Sequence, residues 1–279
     1  MRRVLTLVLA LLLATLLGAG WYAYDKGFTR KWRTLVTAEF RKRGVELKLG
    51  RLTLDPRRGL VAKDVRVFET DERQRTVAFI DEMVIEVNYA NFVRGKTFLD
   101  ALDLRDARLS LPLNPAKPRG PRLEIARLNA RLFLPPQQIY LASAEAEVAG
   151  VRVQASGRLI NPQAFHPQNA PKSRTLVGMI ERIVAEIGAL KFEAEPPTLS
   201  VSFSGDLADA GRVTVSGTLW GEKIRRKNYL LNSLYVAADF RDGTLDLREL
   251  VAHDESGELR VTGLLQPEEK TGSLNLRST

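Results

Sequence analysis

Hydrophobic positions along the chain change their period twice. Val4 to Tyr24 is a run of 21 residues without a charge, long enough at about 1.5 Å per residue to cross a hydrocarbon core of about 30 Å. Two readings fit, and both export the rest of the chain. One is an uncleaved anchor. The other is a signal peptide, with Arg2 and Arg3 before an apolar core of Val4 to Leu17 and the small residues Gly18-Ala19-Gly20 at the cut. Trp21, Tyr22 and Tyr24 stand where an interfacial aromatic belt would, which favours the anchor. Lys26, Arg30, Lys31 and Arg33 outnumber the arginines before the span and by themselves favour the opposite topology. Long following domains cross irrespective of that bias, so the N-terminus is placed inside.

Residues 28–43 follow a 3.6 period, with Phe28, Trp32, Leu35, Val36 and Phe40 on one helical face and Arg30, Lys31, Arg33, Arg41 and Lys42 on the others. Such a helix either lies on anionic lipid or packs on a sheet and leaves a solvated basic face. Gly44 has the place of a glycine that ends a helix.

From Val45 the period is two. Val45, Leu47 and Leu49 alternate with polar residues, and Leu52 and Leu54 resume on the other parity after Gly50, which predicts a bulge or bend. Phe79, Met83, Ile85 and Val87 form a second such stretch, with Asp81 at an inward parity. Others contain Leu109 and Leu111, Leu132, Val151 and Val153, Val201 and Phe203, Val215, Val236 and Val261. Strands buried on both faces would read as continuous apolar runs, so the expectation is a mainly β chain with an antiparallel sheet that is apolar on one face. Three segments, 148–159, 209–219 and 255–265, repeat a glycine turn, a short strand and a Ser-Gly or Thr-Gly before leucine, which makes Gly157, Gly217 and Gly263 equivalent. Their spacings of 60 and 46 residues are too irregular for a fixed-period array and fit a sheet that grows by adding strands.

Proline-rich stretches near 112–122 and 161–173 read as linkers, since proline cannot donate to a ladder. Between the second linker and Pro196, Leu176, Ile180, Ile183, Val184, Ile187 and Leu190 share one helical face. That is one inserted amphipathic helix, which covers a sheet face or edge, or else lies on a membrane. The expected organisation is a membrane anchor over 1–25, a juxtamembrane helix over 26–44 and a sheet domain over 45–279.

Charge narrows the partners. The net +9 resides within residues 1–58, which hold 13 basic and 4 acidic side chains. A nucleic-acid footprint needs positive charge spread where the polyanion lies, so a basic segment beside an anionic membrane is favoured and nucleic acid is not. The chain has no cysteine, and its two histidines, His166 and His253, are far apart. Thiolate chemistry and sulfur-ligated zinc are thereby excluded. No phosphate loop, dinucleotide turn, nucleophile elbow or zinc-protease helix occurs. The carboxylate pairs Asp71-Glu72, Asp254-Glu255 and Glu268-Glu269 sit among turn residues, and Lys223 to Lys227 reads as a phosphate-binding run or, more simply, a solvated turn. No enzyme, cofactor or metal is expected.

The order of these features carries a resemblance. Residues 44–72 show a Gly-Val, alternating strand and Gly-Leu-x-x-x-Asp-Val-x-Val progression at Gly59, Leu60, Asp64, Val65 and Val67. Residues 79–113 follow with Leu-x-Leu-x-x-Ala-x-Leu-x-Leu at Leu102, Leu104, Ala107, Leu109 and Leu111. Gly243, Leu245 and Leu247 begin a later unit of the same kind. This resembles the N-terminal region of the AsmA-like family, relatives of TamB and of the chorein-type bridge lipid-transfer proteins; the proline-rich linkers and the helix at 174–190 have no match there. The resemblance implies a single-pass protein of the bacterial inner membrane. Its bulk would be a periplasmic sheet curled into a half-pipe whose apolar face holds phospholipid or glycolipid. The alternative is an assembly factor whose sheet edge pairs with another envelope protein. The same alternation would also serve a closed sandwich, in which the apolar face is satisfied internally.

Overall fold

A computed structural model of the chain describes residues 14–22, 30–42, 44–55, 57–68, 76–88, 90–91, 94–96, 98–112, 120–162, 185–266, 269 and 271–279. The chain is mainly β, and its strands belong to one large mixed sheet that does not close. It divides into two compact units, residues 1–105 and 106–279.

In the first unit, residues 14–22 are helical and form α1, with Leu16, Leu17, Trp21 and Tyr22 exposed. Among the described residues no helix is long and apolar enough to cross a membrane. The rest of the expected span, Tyr24 included, lies outside them, as does Phe28. Helix α2 (Arg30–Lys42) includes Arg30, Lys31 and Trp32 in its backbone. The helix ends where Gly44, at φ +77°, turns the chain back into β1 (Glu46–Lys48). The buried stripe of α2 matches the expected one at Val36 and Phe40 and departs from it at Leu35. Val36, Glu39 and Phe40 are buried while Leu35 is exposed. Positions 36, 39 and 40 are three and four apart and so share a face, and Leu35 falls at its margin.

Strand β2 (Arg51–Asp55) follows the bend at Gly50, and both β1 and β2 pair with β3 (Gly59–Phe68). Asp64, at φ +54°, sits between the two pairings, and a Cβ on Gly50 would stand 2.7 Å from the Cβ of Asp64. The expected bend is therefore a paired irregularity that holds Leu47, Leu49 and Leu52 inside on both sides of it. Strand β4 (Thr76–Val87) pairs with β3 so that Ala62 faces Met83 and Leu60 faces Ile85. Val61 and Val84, opposed on the other face, are buried as well, so this part of the sheet is covered on both sides. The inward parity of β4 differs from the expected one at its start: Ala78 and Ile80 are buried, and half-buried Phe79 pairs with Arg66. Strand β5 (Leu99–Pro112) runs from the first unit into the second.

The second unit continues with β6 (Arg122–Phe133), β7 (Gln138–Val148) and β8 (Val151–Ile160). After a helical turn at 185–188 come β9 (Lys191–Phe192), β10 (Thr198–Asp206), β11 (Asp209–Arg226) and β12 (Tyr229–Arg241). The last strands are β13 (Thr244–His253), β14 (Glu258–Gln266) and β15 (Thr271–Ser278). Strand order follows the chain, with β9 alongside β11. The expectation of a wholly antiparallel sheet fails at one place: β8 and β10 are parallel over nine residue pairs, from Arg152 with Thr198 to Ile160 with Asp206. A parallel neighbour requires a long return connection, and residues 161–197, with the proline-rich stretch and the expected helix, are that connection. Only 185–188 of that helix fall among the described helical residues.

Candidate functional site

Register fixes which side chains share a face, because directly opposed residues point the same way. Starting from β8, Val153, Ala155 and Gly157 oppose Leu199, Val201 and Phe203 of β10. Leu199 and Phe203 oppose Leu219 and Val215 of β11, which oppose Val236 and Phe240 of β12. Val236 and Phe240 meet Leu250 and Leu245 of β13; these meet Val261 and Leu265 of β14, and Val261 meets Leu276 of β15. Toward the other edge, Val148 and Ala144 of β7 oppose Val151 and Ala155, while Leu132 of β6 opposes Leu141. In β5, Ser110 bonds Glu124 and Arg122 of β6, so its neighbours Leu109 and Leu111 turn to the other side. One face of the second unit is thus apolar along the path of β6, β7, β8 and β10 to β15, with the two-residue β9 lying off it. At about 4.8 Å per step, the nine strands of this path span roughly 38 Å.

The opposite face is polar across β8, β10 and the facing part of β11 by the same pairings. Gln154, Ser156 and Arg158 oppose Ser200, Ser202 and Ser204, which oppose Thr218, Ser216 and Thr214. Ser143, Glu145 and Arg248 join these hydroxyls around an open hollow of about 450 Å³. Arg248 is held there by Asp239, Nε to Oδ2 at 2.8 Å. Trp220, 49% exposed, and Tyr235 are opposed on this face. The alternation of Ser200, Ser202 and Ser204 was the visible signal for this hydroxyl row, and sequence reasoning did not single it out.

Apart from the helical turn at 185–188, the regular elements described in the second unit are strands of one sheet, so among the described residues there is no second sheet against its apolar face. Most side chains on that face are half-buried. Val151 and Val261 are the most enclosed of the expected groove residues here, while Leu111 is exposed. Leu109, Leu132, Val153, Val201, Phe203 and Val215 are half-buried. The expected residues of the first unit behave differently. Leu47, Leu49, Met83 and Ile85 lie in its closed core, and Val45, Phe79 and Val87 are half-buried at its margins. The structure therefore brings together the set from Leu109 onward and gives the earlier set a packing role.

Electrostatics in the first unit centre on Glu82. Arg58 bonds its carboxylate, Arg105 lies 3.5 Å away and Lys63 3.9 Å. The hydrogen bond from Arg58, outweighing partial burial, lowers the Glu82 pKa below the ordinary glutamate value. The basic run 223–227 is answered by carboxylates from the crossover: Arg225 pairs with Glu193 and Arg226 with Glu186. Those two arginines are thus engaged with the chain itself. Among the described residues no group of three His, Asp or Glu is placed to hold a metal ion. Comparison with protein-family models, with curated proteins and with solved structures finds no match to this chain.

Proposed function

We propose that the chain is a membrane-anchored envelope protein that binds or conducts lipid, with acyl chains lying on the apolar face of the second unit. The observation that carries this reading is the continuity of that face along β6, β7, β8 and β10 to β15, with no second sheet against it among the described residues. An acyl chain kept out of water on such a surface gains about 0.8 kcal/mol per buried methylene. The polar reverse face, with its rows of serine and threonine, suits water. The resemblance to the AsmA-like family and the apolar run Val4 to Tyr24 support an inner-membrane anchor with the sheet in the periplasm. In this reading Trp21, Tyr22, Tyr24, Phe28, Trp32, Arg30 and Lys31 lie at the membrane interface, and the work is passive, needing no reactive side chain.

Photo-crosslinking tests it. A benzophenone amino acid replaces Val201 or Val236 on the apolar face, or Ser202 or Thr218 on the polar face, in the full chain expressed in cells. Lipid adducts, identified by mass spectrometry, are expected at the first pair and absent at the second. Equal labelling of both faces, or labelling of neither, overturns the proposal.

A further inference from the structure

The hollow of about 450 Å³ in the second unit lies on the polar side of the sheet, away from the apolar face, across β7, β8, β10 and β11. Two rows of residues opposed in register make its floor. Glu145, Gln154, Ser200 and Thr218 form one, and Ser156, Ser202 and Ser216 form the other. Among the described residues, the hydroxyls of Ser156, Ser200, Ser202, Ser216 and Thr218 bond no other group of the chain, whereas those of Ser204 and Thr214, one row further on, bond each other at 2.8 Å. These hydroxyls and the amide of Gln154 are left to face outward, and each hydroxyl can both donate and accept.

Aromatic rings stand at both ends of the rows. Trp220 lies two residues beyond Thr218 on the same strand, and so on the same face; it is 49% exposed and is opposed to Tyr235. At the other end Tyr140 is 44% exposed, shares a row with Arg158 and Ser204, and stacks on Phe133 with ring centroids 5.9 Å apart. Along β10 the row of Trp220 crosses at Thr198 and the row of Tyr140 at Ser204. Six residues separate them, about 20 Å, with the hydroxyls between.

Charge selects the occupant. Arg248, which lines the hollow, is neutralised by Asp239 at 2.8 Å, and the other charged residue of the lining is Glu145. A phosphate or another anion meets a carboxylate there and an arginine already engaged. An apolar ligand strips the hydroxyls of water and gives them no partner in return. An uncharged ligand rich in hydroxyls pairs donor with acceptor throughout, and the C–H faces of its rings lie on tryptophan and tyrosine, which join apolar surface to a polar edge.

We propose that this face binds an uncharged, linear glycan, with sugar rings stacked on Trp220 at one end and Tyr140 at the other and sugar hydroxyls bonded to the serine and threonine rows between. The site is on the opposite side of the sheet from the face assigned to acyl chains, so the two assignments stand or fall separately.

Isothermal titration calorimetry of the full chain in phospholipid nanodiscs tests this, with cellohexaose and N-acetylchitohexaose as uncharged probes and hexagalacturonate as the anionic one. Saturable binding of an uncharged probe is expected, with hexagalacturonate bound far more weakly or not at all. Trp220→Ala is expected to weaken binding about tenfold and Tyr140→Ala about fivefold, through loss of ring stacking. Ser202→Ala is expected to weaken it about threefold, through loss of one hydrogen bond. All three side chains are exposed, so the variants are expected to keep the urea midpoint of the parent, and any one that keeps it suffices for the test. No saturable heat with either uncharged probe, hexagalacturonate bound as tightly as they are, or the parent's affinity in the folded variants overturns the proposal.

Discussion

Gly157, Gly217 and Gly263 occupy the same place in three similar stretches of sequence, yet the structure gives them different tasks. A Cβ on Gly157 would run into the carbonyl and ring of Phe203, and one on Gly263 into Ser273 and Leu274, whereas the nearest atom to a Cβ on Gly217 is 3.8 Å away. Large side chains on the neighbouring strand fill the first two gaps. Gly157→Ala is therefore expected to lower stability by about 1–3 kcal/mol, the range for forced overpacking, while Gly217→Ala stays within about 0.5 kcal/mol. Urea denaturation of the two variants separates the cases. Glu82 makes the second residue-scale case. Its pKa is lowered in the folded chain, chiefly by the hydrogen bond from Arg58. A group with a depressed folded pKa stabilises above its unfolded pKa, and that stabilisation is lost as pH falls through the folded value. Glu82→Gln is expected to destabilise by about 1–2 kcal/mol at pH 7. The gap from the parent should close on acidification below the ordinary glutamate range, and a gap independent of pH would refute the role of its charge.

At the scale of elements, α2 packs by a buried stripe of side chains. Among the described residues Val36 and Phe40 are its buried apolar side chains, and the buried carboxylates Glu39 and Glu46 are bonded by Lys42 and Arg41. Phe40→Ala is expected to cost about 3–5 kcal/mol, as other buried phenylalanines do, and Leu35→Ala less than about 0.5 kcal/mol. Thermal melts of both variants check this. The helix and its glycine stop were legible in the sequence because period and cap are local signals. The buried pair Val36 and Phe40 was legible too, but the margin was not, because Leu35 looks like them until a sheet is placed beside the helix. Strand alternation was equally legible, and with it the apolar set from Leu109 to Val261. The start of β4 misled because Phe79 outranks Ala78 in hydrophobicity, yet small Ala78 is the one that fits inside, opposed to Val67.

For the whole molecule, the two units carry apolar residues of the same kind in different surroundings. Ile85 is fully buried, whereas Val236 is half-buried on a face that no second sheet covers among the described residues. Ile85→Ala is expected to cost about 2–5 kcal/mol and Val236→Ala about 1 kcal/mol, measured by urea denaturation. Alternation alone does not distinguish a core from an open face, which is why one list of inward positions divided into two roles. The parallel join between β8 and β10 was also hidden, since nothing in either strand states the direction of its neighbour. That join bears on the order of assembly. Apart from the two-residue β9, which meets β11, every other strand pair within the second unit closes over a hairpin or a short connection, but this one must wait for residues distant in sequence to meet, and contacts of that kind slow folding. The strands up to β8 and those from β10 onward can each zip locally, leaving the meeting of Val153 with Leu199 and Ala155 with Val201 as the late event that sets the speed at which a newly made chain becomes whole.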